Sequence, residues 1–179
     1  MLRSRSIAII VALLLTLFSA SLSRAGGGVE TAGDVTMALI AAGAAALIIA
    51  DKDLTGAVQF AESQALSSAV TLGLKYTINE SRPDGGSHSF PSWHSTFSFS
   101  SAEFIRKRYG WEYGIPAYAL ASFVAYSRVE SDQHYAKDVI AGAAIGIVSS
   151  YLFTRPYQGM TIQPAADAGY YGVRVSRVW

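Results

Sequence analysis

The sequence predicts an all-α fold, a compact bundle of about five helices that ends in a short C-terminal strand or extended tail. Two observations lead to this prediction: apolar residues recur at helical spacing along the chain, and short polar breaks separate these stretches. A period of two, typical of a strand, appears in the last residues, "YYGVRVSRVW". We therefore expect little sheet.

The first two predicted helices cover residues 37–50 and 55–77. The first is too short to span a bilayer, which takes about 20 apolar residues, so a buried or shallow membrane-seated helix is the better interpretation. Between the two helices lie Asp51 and Asp53. A turn followed by a helix N-cap is favoured there over a metal site, because a hard cation needs more than two carboxylates.

The chief loop follows, in "NESRPDGGSHSFPSWHS", where two prolines and a glycine pair forbid a continued helix. A third helix is predicted beyond Trp93, ending at Gly110 after a basic last turn. The segments "IPAYALASFVAYSR" and "DVIAGAAIGIVSSYLF" predict the fourth and fifth helices.

The first 25 residues have the pattern of an export signal. Arg3 and Arg5 precede an apolar run over residues 7–18, and small residues surround Arg24. The run is short for a spanning helix, so we predict a cleaved signal peptide over residues 1–25 and a single domain over residues 26–179, with an uncleaved anchor as the alternative.

Composition narrows the class of protein further. The chain has no cysteine, which excludes disulfides, thiolate metal sites and cysteine nucleophiles. Of its 14 basic residues, three lie in the predicted signal, so the remainder carries fewer basic residues than its 13 acidic ones. Nothing in this balance indicates a nucleic-acid surface, and no nucleic-acid partner is predicted.

Three polar clusters stand at predicted helix ends, in "KYTINESRP", "PSWHS" and "SRVESDQHYAKD". They contain Lys75 with Arg82, Ser92 with His94, and Arg128 with His134 and Asp138. A lone arginine is usually solvated and a lone histidine is usually a satisfied core residue, so each cluster alone is a weak signal. Their joint spacing is a strong one.

These segments resemble the three signature motifs of the type 2 phosphatidic acid phosphatase superfamily, which includes lipid phosphatases, bacterial acid phosphatases and vanadium haloperoxidases. Lysine, six residues and Arg-Pro match from Lys75 to Pro83, and Ser-Arg, five residues, His, three residues and Asp match up to Asp138. Trp93 stands where the family commonly has glycine. Tryptophan keeps the backbone N–H that the family uses to hold phosphate but loses the positive-φ conformations of glycine.

The resemblance implies a metal-independent phosphoric monoester hydrolase that works through a phosphohistidine, with no cofactor and no metal. It implies catalytic roles for His134 as nucleophile, Asp138 as its orienting carboxylate and His94 as general acid and base. His134 and Asp138, four residues apart, would share one helix face if the helix began before His134. Phosphate binding is predicted for Lys75, Arg82, Ser92, Trp93 and Arg128.

The substrate and location predictions are broader. Aromatic loops and apolar helices favour a phosphorylated lipid, as monoester or pyrophosphate, and an exported protein of a bacterial envelope, periplasmic or membrane-associated. The alternatives are a broad-specificity soluble periplasmic acid phosphatase acting on small phosphate esters, a vanadium-dependent haloperoxidase, and a small helical protein whose basic residues merely snorkel. The oligomeric state stays open.

Overall fold

The computed structural model describes residues 28–157, 160–167 and 170–177. Over these residues the chain forms five helices followed by a two-stranded hairpin, which confirms the predicted all-α class. The helices are α1 (Gly28–Ala50), α2 (Leu54–Ile78), α3 (Trp93–Tyr109), α4 (Trp111–Glu130) and α5 (Ala136–Phe153). The predicted signal peptide lies outside the described residues, and the division into signal and single domain stays a prediction.

Helix α1 begins nine residues earlier than the sequence pattern indicated, so the predicted start at residue 37 is wrong. Its first turns are polar and small rather than apolar, yet Ala32, Gly33 and Thr36 are buried against α4. Glu30 in the first turn also suits the positive end of the helix dipole. Helix α1 is therefore 23 residues long, not 14.

Two helices in the described part of the chain are long and apolar enough to cross a membrane. These are α1, with a mean hydropathy of 1.9, and α5, with a mean hydropathy of 1.4. The sequence interpretation of the first as too short for a span followed from its wrong start.

The turn between α1 and α2 holds an N-cap, as predicted. Asp53 Oδ1 accepts a hydrogen bond from the Gly56 N–H at 2.8 Å. The same carboxylate binds Arg108 of α3 through both oxygens and accepts from the Tyr109 hydroxyl at 2.9 Å. This buried ion pair joins the start of α2 to the end of α3, at the end of the bundle away from the three motifs.

Helix α3 lies at the centre of the bundle and packs on α5, α4 and α2. Its approach to α5 is close because α5 presents glycine there: a Cβ on Gly146 would lie 2.2 Å from the Thr96 carbonyl oxygen. The buried apolar core lies among α1, α3 and α4 and is made of Ile40, Ala44, Ala102, Phe104, Ile105, Ala117, Ala121 and Val124. This packing fixes the start of α3 beside the start of α5.

The C-terminal tail forms a hairpin rather than a single strand. Strand β1 (Met160–Asp167) pairs antiparallel with β2 (Tyr170–Arg177). The period of two predicted β2. It did not predict β1, because a proline at position 164 followed by two alanines is not typical of a strand.

Candidate active site

The three motifs meet at one end of the bundle. Helix α2 ends before a loop over residues 79–92, hereafter the motif loop, and a turn over residues 131–135 joins α4 to α5. The loop and the turn are tied together, since the Asp84 N–H donates to the Asp132 carbonyl at 3.1 Å. The Ser92 N–H likewise donates to the Asp138 carbonyl at 3.0 Å. The structure therefore brings the predicted site residues together.

His134 and Asp138 form a buried pair, but not by sharing a helix face. Helix α5 begins at Ala136, so the condition that the helix start before His134 is not met. Asp138 instead turns back over the helix start, where its Oδ2 accepts from the Tyr135 N–H at 3.0 Å and lies 3.6 Å from His134 Nδ1. The imidazole is 3% exposed and the carboxylate 0%. Nδ1 thus faces the acid and Nε2 is left for chemistry.

The backbone of Arg128 fixes where His134 stands. Its carbonyl accepts hydrogen bonds from the N–H groups of both Gln133 and His134, at 3.0 and 3.1 Å. These two hydrogen bonds close the turn after α4. The five residues between Arg128 and His134 in the third motif are therefore the last two residues of α4 and the first three of that turn.

Ser89 contacts both members of this pair, and it was not among the residues predicted from the motifs. Its hydroxyl donates to Asp138 Oδ2 at 2.5 Å and lies 3.4 Å from His134 Nδ1. The residue is completely buried. Nothing in the spacing of the motifs marks this serine among its neighbours in the loop, because its partner is 49 residues away.

Lys75 and Arg82 hold the motif loop and also bring positive charge to His134. Lys75 Nζ donates to the carbonyls of His88 and Ser89, at 2.5 and 3.3 Å. Arg82 Nη1 donates to Gln133 Oε1 at 2.7 Å, which links the loop to the turn before α5. These two of the three predicted phosphate-binding cations are therefore fixed in place by the protein itself.

These cations change the protonation of the site. Burial, followed by the charges of Lys75 and Arg82, lowers the pKa of His134 to about 4, while Asp138 opposes the shift. The imidazole is therefore neutral at pH 7, as a nucleophile must be. Burial and the neighbouring Arg82 lower the pKa of Lys75 to about 8, so its amine is still mostly charged at pH 7.

The start of α3 supplies neutral donors beside the charged ones. Ser92 is the N-cap, fully buried, and accepts from the Ser95 N–H at 3.5 Å. Trp93 is the first residue of the helix and does not adopt a positive φ, so the conformational freedom of glycine is not needed here. Its ring lies 5.6 Å from the His94 ring and 5.3 Å from Phe97, between centroids. The backbone N–H groups of this turn remain at the dipole's positive end.

His94 and Arg128 share an acidic partner from α1 that the sequence analysis did not single out. Asp34 Oδ1 lies 3.2 Å from His94 Nε2 and 3.1 Å from Arg128 Nη1. Arg128 Nη2 also donates to the Glu30 carbonyl at 2.5 Å. Burial and the charge of Arg128 lower the pKa of His94 below its ordinary value of 6.5, and Asp34 opposes this. His94 and His134 therefore each lie beside a carboxylate, Asp34 and Asp138 respectively.

No group of three or more His, Asp or Glu side chains stands ready to hold a metal ion within residues 28–157 and the two strands. The predicted absence of a metal and of a cofactor stays a prediction. What the site does contain is a neutral buried histidine, three cationic side chains, a helix start and a second histidine. This set can bind a phosphate group and attack it.

Comparison with known proteins agrees with this chemistry. The family model of the PAP2 superfamily matches residues 56–160. A lipid A 4'-phosphatase of Helicobacter pylori is 30% identical over 150 residues, which cover 73% of this chain and 76% of that protein. A lipid A 1-phosphatase of Porphyromonas gingivalis is 38% identical over 95 residues, 48% of this chain but only 21% of that longer protein. The predicted class, a phosphoric monoester hydrolase, agrees with the names of these relatives.

A solved structure shares the fold. The crystal structure of Aquifex aeolicus LpxE matches with a TM-score of 0.61 over 77% of this chain and 92% of that one, at 19% identity. The shared fold, the family match over more than half of the residues and the convergence of all three motifs lead to one conclusion. The chain belongs to the PAP2 superfamily, as its motifs predicted.

Proposed function

We propose that this protein is a lipid phosphatase that hydrolyses a phosphomonoester through a phosphohistidine on His134, without a metal ion. The observation that carries the proposal is the buried His134–Asp138 pair beside two fixed cations, Lys75 and Arg82. A neutral imidazole with one nitrogen facing a carboxylate is an activated nucleophile. Fixed positive charge beside it is what phosphoryl transfer requires.

In the first step, His134 Nε2 attacks phosphorus and the bond from phosphorus to the leaving oxygen breaks. Asp138, which faces Nδ1, stabilises the positive charge that grows on the ring. Lys75, Arg82 and Arg128 neutralise charge on the phosphoryl oxygens. His94 donates its proton to the departing alkoxide, so the alcohol leaves neutral.

In the second step, water attacks the phosphohistidine. His94, now neutral, takes a proton from the water, and the bond from phosphorus to Nε2 breaks as the new bond to oxygen forms. Inorganic phosphate leaves and His134 returns to its neutral state. One histidine is the nucleophile throughout and the other moves the proton in both directions.

The proposed substrate is a phosphorylated lipid, in particular a glycolipid of the lipid A kind. The names of two relatives, lipid A 4'-phosphatase and lipid A 1-phosphatase, support this class. So do large apolar side chains that stand exposed on the helices, including Ile49 at 75%, Ile140 at 68% and Leu152 at 67%. We propose that α1 and α5 seat the protein in a membrane of the bacterial envelope after export.

The test is hydrolysis by the purified chain in detergent with EDTA present. The substrates are lipid A, phosphatidate, a prenyl pyrophosphate and p-nitrophenyl phosphate, and released phosphate is measured. His134→Ala should abolish turnover. The matched control is His88→Asn, because His88 is the remaining histidine, its ring contacts Ser87 Oγ and Tyr76 rather than the site, and asparagine tolerates its positive φ of 58°.

Release that favours a lipid, survives EDTA and is lost in His134→Ala but kept in His88→Asn supports the proposal. Release from p-nitrophenyl phosphate alone would instead make the protein a broad-specificity acid phosphatase. Peroxide-dependent halide oxidation with vanadate, in place of hydrolysis, would make it a haloperoxidase. Phosphate label that stays on the trapped enzyme in acid would contradict a phosphohistidine, whose P–N bond is labile in acid but stable in base.

A further inference from the structure

Asp34 occupies a position that the proposed mechanism does not use. It belongs to α1, outside all three motifs, and one of its oxygens contacts both Arg128 and His94. Its side chain is 49% exposed, whereas Arg128 is 2% exposed. The carboxylate therefore lies on the open side of a buried cation, where a phosphate entering from solvent would meet the same two groups.

The close packing of α1 on α4 brings Asp34 to the site. Gly33, the preceding residue, has no side chain to keep the helices apart, and a Cβ there would lie 2.0 Å from Ser127 Oγ and 2.6 Å from Arg128 Nη2. The close approach also lets the Glu30 carbonyl accept from Arg128. The contacts of Asp34 thus depend on a helix seated tightly over the arginine.

We propose that Asp34 is a positioning residue that holds Arg128 and His94 in the free enzyme and yields them to the phosphate of the substrate. A carboxylate and a phosphoryl oxygen are both anionic acceptors suited to an arginine fork. They repel each other when they share one cation. Asp34 therefore weakens anion binding while it keeps the catalytic side chains in order and keeps His94 protonated to a higher pH.

The charged groups around His94 come from four parts of the fold. Asp34 comes from α1, Lys75 from α2, Arg82 from the motif loop and Arg128 from α4. The three cations favour the neutral ring, and Asp34 favours the protonated one. Removing the charge of Asp34 leaves the three cations unopposed by a carboxylate in contact with the ring.

The variant is Asp34→Asn, which keeps the size of the side chain and removes its charge. The matched control is Glu30→Gln, one turn earlier on the same helix: it loses the same charge, but its carboxylate lies 3.9 Å from Arg128 and makes no ion pair with His94 among the described contacts. Asp34 is half exposed, so the substitution should leave the fold intact, which a melting curve checks.

Two measurements on the full chain do not depend on turnover. The first is calorimetric binding of inorganic phosphate, which should tighten by roughly three- to tenfold in Asp34→Asn, the size expected for one partly exposed charge. The second is NMR titration of the histidine rings in untagged protein, which has three histidines. The midpoint of His94 should move to lower pH, and by more than it does in Glu30→Gln.

The kinetic arm rests on the proposed function. There, KM should fall in Asp34→Asn, and the limb of kcat/KM that reports His94 should move to lower pH. Unchanged phosphate affinity, or an unmoved His94 midpoint, in Asp34→Asn would overturn the inference, as would equal effects in Glu30→Gln. An inactive natural enzyme with both equilibrium effects present would refute the phosphatase function and leave the role of Asp34 intact.

Discussion

Replacing Ser89 with alanine should weaken the site indirectly, because the lost hydroxyl contacts Asp138 and not the substrate. The hydroxyl of Ser89 donates to Asp138 Oδ2 at 2.5 Å and is fully buried, so solvent does not screen the contact. A hydrogen bond to a charged group contributes about 1.5–3 kcal/mol, and this carboxylate would retain its bond from the Tyr135 N–H. We expect the free energy of unfolding to fall by about 1.5–3 kcal/mol.

The same loss should appear in the rate. Ser89 also lies 3.4 Å from His134 Nδ1, so it helps to set the orientation of the ring toward Asp138. Each 1.4 kcal/mol lost from the transition state is a factor of about ten, so kcat should fall by roughly ten- to a hundredfold. KM should change little, because the serine is proposed to act through Asp138 rather than through phosphate.

The assay is steady-state hydrolysis of the preferred substrate, together with chemical unfolding in the same detergent. Ser87→Ala is the matched control, since Ser87 is exposed on the same loop and its hydroxyl contacts the His88 ring instead. A fall in stability with kcat preserved would show that Ser89 only supports the fold. A rise in KM with kcat preserved would place it on the substrate, and either result refutes the reasoning above.

The remaining predictions concern pH and packing. As pH rises, kcat/KM should increase through about pH 4, where His134 loses its proton. It should fall again below pH 6.5, as His94 loses its proton. An optimum above pH 7 would contradict these assignments. Gly146→Ala should lower the free energy of unfolding by about 1–3 kcal/mol, because its Cβ would meet backbone of α3 at 2.2 Å. Gly43→Ala, where nothing lies within 4 Å, should stabilise by about 0.5–1 kcal/mol, and similar unfolding midpoints for the two variants would show that α3 and α5 are not closely packed.

Sequence periodicity predicted the helices wherever burial is apolar. It placed α2 and α3 within one residue at each end, because caps and glycine mark their limits: Asp53 before α2 and Gly110 after α3. It failed at the start of α1, where the buried residues are small or polar, as at Gly33 and Thr36. Burial of such residues depends on how closely the neighbouring helix approaches, and a hydrophobic pattern carries no information about that distance.

Motif spacing predicted eight site residues, and the structure brings them to one end of the bundle, whereas their roles stay a prediction. Residues that reach this end only through the fold were not predicted. Ser89 and Asp34 were missed, because each reaches its partners through helix packing rather than through local sequence. The geometry of His134 with Asp138 was also predicted for the wrong reason, since the pair meets across a helix start and not along a helix face.

The proposed mechanism has two opposite requirements, and the two carboxylates of the site would reconcile them. Cations are needed to bind phosphate, but burial and the same cations lower the pKa of both histidines, which suits the proposed nucleophile His134 and opposes the proposed acid His94. Asp138 is fully buried and would stay with His134 through both proposed steps, whereas Asp34 is half exposed and would give way to phosphate. A phosphate that replaced Asp34, as proposed, would favour the protonated His94 through its own negative charge. The enzyme would then be fully prepared to donate a proton once an anion is bound.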